Sequence, residues 1–198
     1  MKSSKENNNF PSKISDPETW VESHGDYLFR YALMRLRNRE SAENMVQETF
    51  LAALTARNSF SGRSSERTWL VGILKHKIID QYRKSFREKP ISQIQTEEEQ
   101  TVDQFYDAME NPKGYPKDWM PDPVKVLHSK EFWGIFKGCL GHLPERTASA
   151  FSMREMDGMD TDEICKELGI SPTNLWVMLH RARLQLRACL EQNWFEKK

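Results

Sequence analysis

Between Asp160 and Arg187 the chain starts a helix, stops it at a glycine and starts another a few residues later. Asp160-Thr161-Asp162-Glu163 has the form of a capping box, in which the first and fourth side chains each satisfy the other residue's free backbone N–H. Gly169 suits the positive φ of a tight turn. Ser171-Pro172 then opens a second helix, with serine as cap and proline in the first turn. Leu175, Leu179, Ala182, Leu186 and Leu190 recur at steps of three and four and define a core stripe. Trp176, His180, Arg181, Arg183 and Arg187 occupy the other faces. This pattern predicts a helix-turn-helix, whose second helix enters the major groove of duplex DNA. Arginines there neutralise phosphates, and residues near the helix N-terminus meet base edges. A plain helical hairpin with solvated arginines is the bland alternative, and Trp176 fits either packing or an outward role.

The rest of the chain extends the helical reading. Trp20, Leu28, Phe29, Ala32, Leu33 and Leu36 fall near helical spacing, and Asn38-Arg39-Glu40-Ser41 makes a turn and a new start. Ala42, Met45, Val46, Thr49, Phe50, Ala53 and Leu54 form a second stripe. After the loop chemistry of Phe60 to Ser65, a third helix runs from about Glu66 to Phe86 on Leu70, Ile73, Leu74, Ile78 and Tyr82. Helices resume at Ser129, with Phe132, Ile135, Phe136, Cys139 and Leu140 on one face, and Pro144 is expected at a first helical position. The fold class is therefore all-α, as two small helical domains joined by a flexible acidic linker, the second holding the helix-turn-helix. The expected boundaries are a disordered tail at 1–16, a first domain at 17–87, a linker at 88–128 and a second domain at 129–195.

Charge sharpens this division. Lys+Arg and Asp+Glu both number 29, so the formal net charge is zero. Residues 63–89 nevertheless hold eight basic and three acidic residues, while 88–128 hold nine acidic residues and four lysines. Five of the nine prolines also fall in 88–128, which reads as a tether rather than a packed element. The basic run interleaves Trp69, His76 and Tyr82, a combination suited to melted DNA, where cations meet phosphates and rings meet bases. A core Trp69 beside merely wet lysines explains the run equally well. The three cysteines, Cys139, Cys165 and Cys189, show no C-x-x-C spacing, and free thiols are expected. No nucleophile constellation, metal-ligand cluster or cofactor motif is found, so no catalytic residue, metal or cofactor is expected. No apolar run reaches the ~20 residues of a membrane helix, and the N-terminus lacks a signal-peptide core. A cytoplasmic protein, not an enzyme, is expected.

At this point the residues resemble a known family. Ala42-Glu43-Asn44-Met45-Val46-Gln47-Glu48-Thr49-Phe50-Leu51-Ala52-Ala53-Leu54 is similar to the polymerase-binding helix of extracytoplasmic-function (ECF) sigma factors, a subfamily of the bacterial sigma-70 type. Phe60-Ser61-Gly62, Thr68-Trp69-Leu70, Ile73 and Asp80 resemble their promoter-melting segment. Leu143-Pro144-Glu145-Arg146 through Arg183 resembles their minus-thirty-five domain. The resemblance implies that Asn44, Gln47 and Glu48 face the clamp helices of the polymerase beta-prime subunit. Asn44 stands where the family usually has aspartate. It implies minus-ten contacts by Arg63, Ser64, Ser65, Arg67, Trp69, Lys75 and His76, with the loop holding an extruded base. It implies minus-thirty-five contacts by Ser171, Pro172, Thr173, Asn174, Val177, Met178, Arg181 and Arg183. This turn is more apolar than is usual, which implies an uncommon promoter sequence.

The partners so implied are core RNA polymerase, including the beta flap, promoter DNA and an anti-sigma factor, with no small-molecule substrate and no membrane insertion. The acidic linker would thread a basic polymerase channel or serve as a solvated tether. The alternative function is a helix-turn-helix transcriptional regulator that does not bind polymerase as a sigma factor. A helical adaptor without a DNA role is the third reading, and the segregated charge argues against it.

Overall fold

The computed structural model describes residues 14–88 and 129–195. Seven α-helices account for most of them, and no strand occurs among the described residues. The tail before residue 14 and the acidic stretch 89–128 lie outside the described residues, as does any role of that stretch as a linker. The chain divides into two compact units after Gln81.

In the first unit, Asp16 caps a short 3-10 turn, Pro17–Thr19, by accepting from the Glu18 N–H at 3.2 Å. Helix α1 follows, Trp20–Leu36. It ends at Arg37, which takes the left-handed conformation with φ 58, and the Arg37 N–H reaches back to the Leu33 carbonyl at 3.0 Å. Asn38 then caps α2, Arg39–Ala56, by accepting from the Ser41 N–H at 2.8 Å. A connection this short forces α2 back along α1, where the two pack together. Helix α3, Glu66–Glu88, begins after the loop and runs across the division between the units. Trp20, Leu28, Ala32, Ala42, Met45, Val46, Ala53, Leu70, Leu74 and Ile78 are buried. Leu54 departs from the expected stripe and is 43% exposed. It follows the inward-facing Ala53 by one residue, about 100° around the helix.

In the second unit, Ser129 caps α4, Lys130–Gly141, accepting from the Phe132 N–H at 3.3 Å. Helix α5, Glu145–Phe151, continues through a widened turn, Ser152–Met156. Pro144 is its cap, extended at ψ 143, rather than its first helical residue. Helix α6, Thr161–Leu168, and helix α7, Pro172–Leu190, follow, and α7 packs against α4, α5 and α6. Their shared core contains Leu140, Leu143, Phe151, Met153, Ile164, Leu168, Leu175, Leu179, Ala182 and Leu186.

The expectation of three free thiols is corrected here. Cys139 on α4 and Cys189 on α7 form a disulfide, and Cys165 alone is free. The two bonded residues stand 50 apart in sequence, but adjacent packing of their helices brings their Cα atoms to 5.7 Å, within bridging range. Burial, together with the charge of Asp162, pushes the Cys165 thiol up from its ordinary value, against the opposing pull of Arg154.

Candidate polymerase and nucleic-acid interfaces

Helix α2 turns one face inward and leaves the other open. Asn44, Gln47 and Glu48 are exposed. Their i, i+3 and i+4 spacing places them on one stripe, which continues through Leu51. Leu51 is 65% exposed, and Leu54, a turn further, is also open. A cleft of about 350 Å³ runs beside this stripe, lined by Ser41, Asn44, Met45, Gln47, Glu48, Leu51 and Gln81. Lys77 of α3 holds Glu48 with an Nζ–Oε2 distance of 3.0 Å. From Asn44 to Thr55 there is no Lys or Arg. Two amides, one carboxylate and open leucines suit a protein surface better than a phosphate backbone.

The loop before α3 is built on aromatic rings. Phe60 meets the edge of Trp69 at 5.4 Å, Trp69 meets Trp20 at 6.3 Å, and Trp20 stacks with Phe50 at 6.5 Å. Trp69 is half-buried and packs within this cluster of rings. Gly62 turns the chain with φ 67. Ser65 is committed to the helix start: its hydroxyl accepts from the Thr68 N–H at 3.1 Å and lies 2.8 Å from the Thr68 hydroxyl. Arg63, Arg67 and His76 are exposed, while Ser64 and Lys75 are half-buried. The Arg67 guanidinium lies 5.2 Å from the Tyr27 ring centre.

Behind this loop lies a network that sequence spacing did not reveal. Glu66, the first residue of α3, accepts from the Ser15 N–H at 2.6 Å and from the Ser15 hydroxyl at 2.8 Å. His24 Nε2 stands 2.8 Å from the same carboxylate, and the Trp20 indole N–H donates to the Ser15 hydroxyl at 3.1 Å. Burial pushes the Glu66 carboxyl up, but hydrogen bonds from Ser15 and the His24 imidazole outweigh this and hold it below its ordinary value. The partners lie 51 and 42 residues from Glu66 in sequence, and no local motif links them.

The helix-turn-helix forms as the sequence signals require. Asp160 and Glu163 make both halves of the capping box, with bonds of 2.8 and 3.2 Å. Gly169 ends α6 at φ 65, and Ser171 caps α7 by accepting from the Asn174 N–H at 3.2 Å. Arg146 donates to the Leu168 carbonyl at 2.8 Å, satisfying a helix-end acceptor. Arg154 reaches the Met159 carbonyl and the Thr161 hydroxyl at 2.8 and 2.7 Å, fixing the entry to α6. Ser171, Pro172, Thr173 and Asn174 are exposed, and Val177 and Arg181 are half-buried. Arg183 is exposed and pairs with Glu155 at 2.6 Å.

Met178 is the exception among the expected contacts. It is 2% exposed and belongs to the core beside Leu175 and Leu179, so it offers nothing to DNA. Its position three after Leu175 puts it on the inward face. Two residues outside the expected contact set stand out. Trp176 is 65% exposed, and its ring lies parallel to that of His180, with centroids 5.4 Å apart and planes 4° from parallel.

Among the described residues no group of three or more His, Cys, Asp or Glu side chains could hold a metal ion, and no helix is long and apolar enough to cross a membrane.

An all-helical protein with an open amide-and-leucine helix face, a basic helix and a helix-turn-helix falls in the class of transcription factors. Comparison with known proteins is more specific. Residues 20–88 match the family described as sigma-70 region 2, and residues 134–186 match sigma-70 region 4. The chain is 35% identical over 181 residues to a probable RNA polymerase sigma factor of Haemophilus influenzae, covering 90% of this chain and 91% of that one. It is 30% identical to the RNA polymerase sigma factor YlaC of Bacillus subtilis, covering 82% of each. It is 24% identical to the ECF sigma factor SigX of the same organism, covering 83% of this chain and 78% of that one. The chain belongs to the sigma-70 family of RNA polymerase sigma factors, within the ECF group.

Proposed function

We propose that this chain binds core RNA polymerase through the open face of α2 and directs it to promoters read by two separate surfaces. Asn44, Gln47 and Glu48 dock on the beta-prime clamp helices, with Leu51 and Leu54 adding apolar contact. Arg63, Ser64, Arg67, Lys75 and His76 hold the melted minus-ten strand; Trp69 and Ser65 keep the loop and helix start in shape. Thr173, Asn174 and Val177 read the minus-thirty-five duplex after Ser171 and Pro172 set the helix entry, and Arg181 and Arg183 hold its phosphates. The beta flap contacts the second unit. All nucleotide chemistry belongs to the polymerase, and the chain works as a non-enzymatic cytoplasmic factor. An anti-sigma factor covers these faces until its signal arrives.

The observation that carries this reading is the juxtaposition on α2 of an exposed amide pair and two open leucines in a stripe that lacks any basic residue. Such a stripe has no use on DNA and matches a protein partner. Co-elution with core polymerase tests it. Wild-type protein and the Ser171→Ala variant should co-elute, whereas Gln47→Ala and Leu51→Asp should not. Retention of Leu51→Asp at wild-type affinity would remove α2 from the interface.

A further inference from the structure

We propose that Trp176, held against His180, is a specificity-determining residue that reads the methyl group of a thymine in the minus-thirty-five duplex. The inference rests on the reading of α7 as the promoter-facing helix.

The core face of α7 is Leu175, Met178, Leu179, Ala182 and Leu186, all buried. Trp176 lies outside that stripe and is 65% exposed, among the most open large apolar side chains described. It is also not loose. The parallel stack on His180, one turn further along the helix, favours one direction of the indole before any ligand arrives. A ring already held in place loses little conformational freedom on binding.

The surroundings select the occupant. From Pro172 to Leu190 the helix carries Arg181, Arg183 and Arg187 and no acidic residue. Arg183 pairs with Glu155, and Arg187 with Glu191 just beyond the helix. A surface with this charge complements a phosphate backbone. Around the indole, Thr173 and Asn174 are exposed and Val177 is half-buried. No arginine or lysine occurs in the first two turns to fork onto guanine. In the major groove the thymine C5-methyl is the apolar group on the base edges. Residues near the N-terminus of a second helix of this kind reach those edges. The apolar ring and the apolar base substituent therefore belong together.

The test uses holoenzyme assembled from core polymerase and the full chain, selecting from a duplex library randomised across the minus-thirty-five element. The recovered sequence is then rescanned with each thymine replaced by uracil, which removes only the methyl. One position should weaken about four-fold for the wild-type factor, the weight of one methyl withdrawn from water. At that position Trp176→Ala should bind thymine and uracil alike while keeping the other preferences. Trp176→Phe and His180→Phe should retain the discrimination, and His180→Ala should retain part of it. Circular dichroism and salt dependence matching the wild type would show that the Ala variant is folded and still on DNA. A Trp176→Ala factor that keeps the four-fold difference overturns the inference and leaves the sigma reading intact. So does a wild-type factor that selects sequence normally but ignores every methyl. The same holds if Trp176→Ala alters only the binding of a protein inhibitor. A holoenzyme that enriches no sequence at all overturns the promoter-facing reading of α7, and the inference with it.

Discussion

Reduction of the Cys139–Cys189 bond is the perturbation whose size follows most directly from the structure. The bond closes a segment of 50 residues and ties α4 to the last full turn of α7. Loop-closure entropy for a segment of that length amounts to about 4 kcal/mol in favour of the folded state. Small domains are stable by only about 5–15 kcal/mol, so reduction removes a large share of the total. The buried Trp194, packed edge-on to Phe132 at 5.6 Å, provides a fluorescence signal from this unit. Urea unfolding should be followed with and without a thiol-free reductant, and in a Cys139→Ala, Cys189→Ala double variant. With a urea slope of about 1–3 kcal/mol per molar, the midpoint of the second unit should fall by more than about 1 M in both cases. The reductant should have no further effect on the double variant. Thiol titration of the denatured, unreduced chain should count one thiol, Cys165. Equal midpoints before and after reduction would refute the loop-closure reasoning, and a count of three thiols would refute the bond itself.

Other outcomes follow from single contacts. Met178→Ala should destabilise the second unit by about 2–5 kcal/mol, because the side chain is fully enclosed, whereas Trp176→Ala should change its melting temperature little. Asp160→Ala removes the acceptor of a 2.8 Å capping bond and should cost about 1 kcal/mol by denaturant titration. The Glu66 carboxyl lies below its ordinary value, so its ionised form stabilises the first unit above the unfolded-state pKa, and that contribution is lost as pH falls through the lowered folded-state value. Thermal melts of wild type and Glu66→Gln should therefore converge in acid and diverge toward neutrality; a constant gap across that range would contradict the assignment.

How much of this was legible in the chain depends on range. The helix-turn-helix was legible because its signals are local: Asp160 and Glu163 bond each other within one turn, Gly169 takes the φ that glycine permits, and Ser171 caps the helix three residues before its donor. Pro144 came one position out, because a proline at a helix start suits the cap as well as the first turn. Met178 was legible by spacing from Leu175, and the family pattern at that position pointed the other way. The disulfide and the Ser15–His24–Glu66 network were not legible, since both join residues more than forty positions apart through helix packing alone. The stack of Trp176 on His180 has the i, i+4 spacing that would have revealed it, but the same spacing also fits two independent surface residues.

In the proposed function, α2 and the helix-turn-helix act together to make core polymerase initiate at chosen promoters. Run-off transcription tests it most directly, using core RNA polymerase with and without the chain on pooled promoter fragments from its own genome. Discrete transcripts that require the chain and vanish with Gln47→Ala are expected. Core polymerase that stays silent, and fails to co-purify with the folded chain, would contradict it.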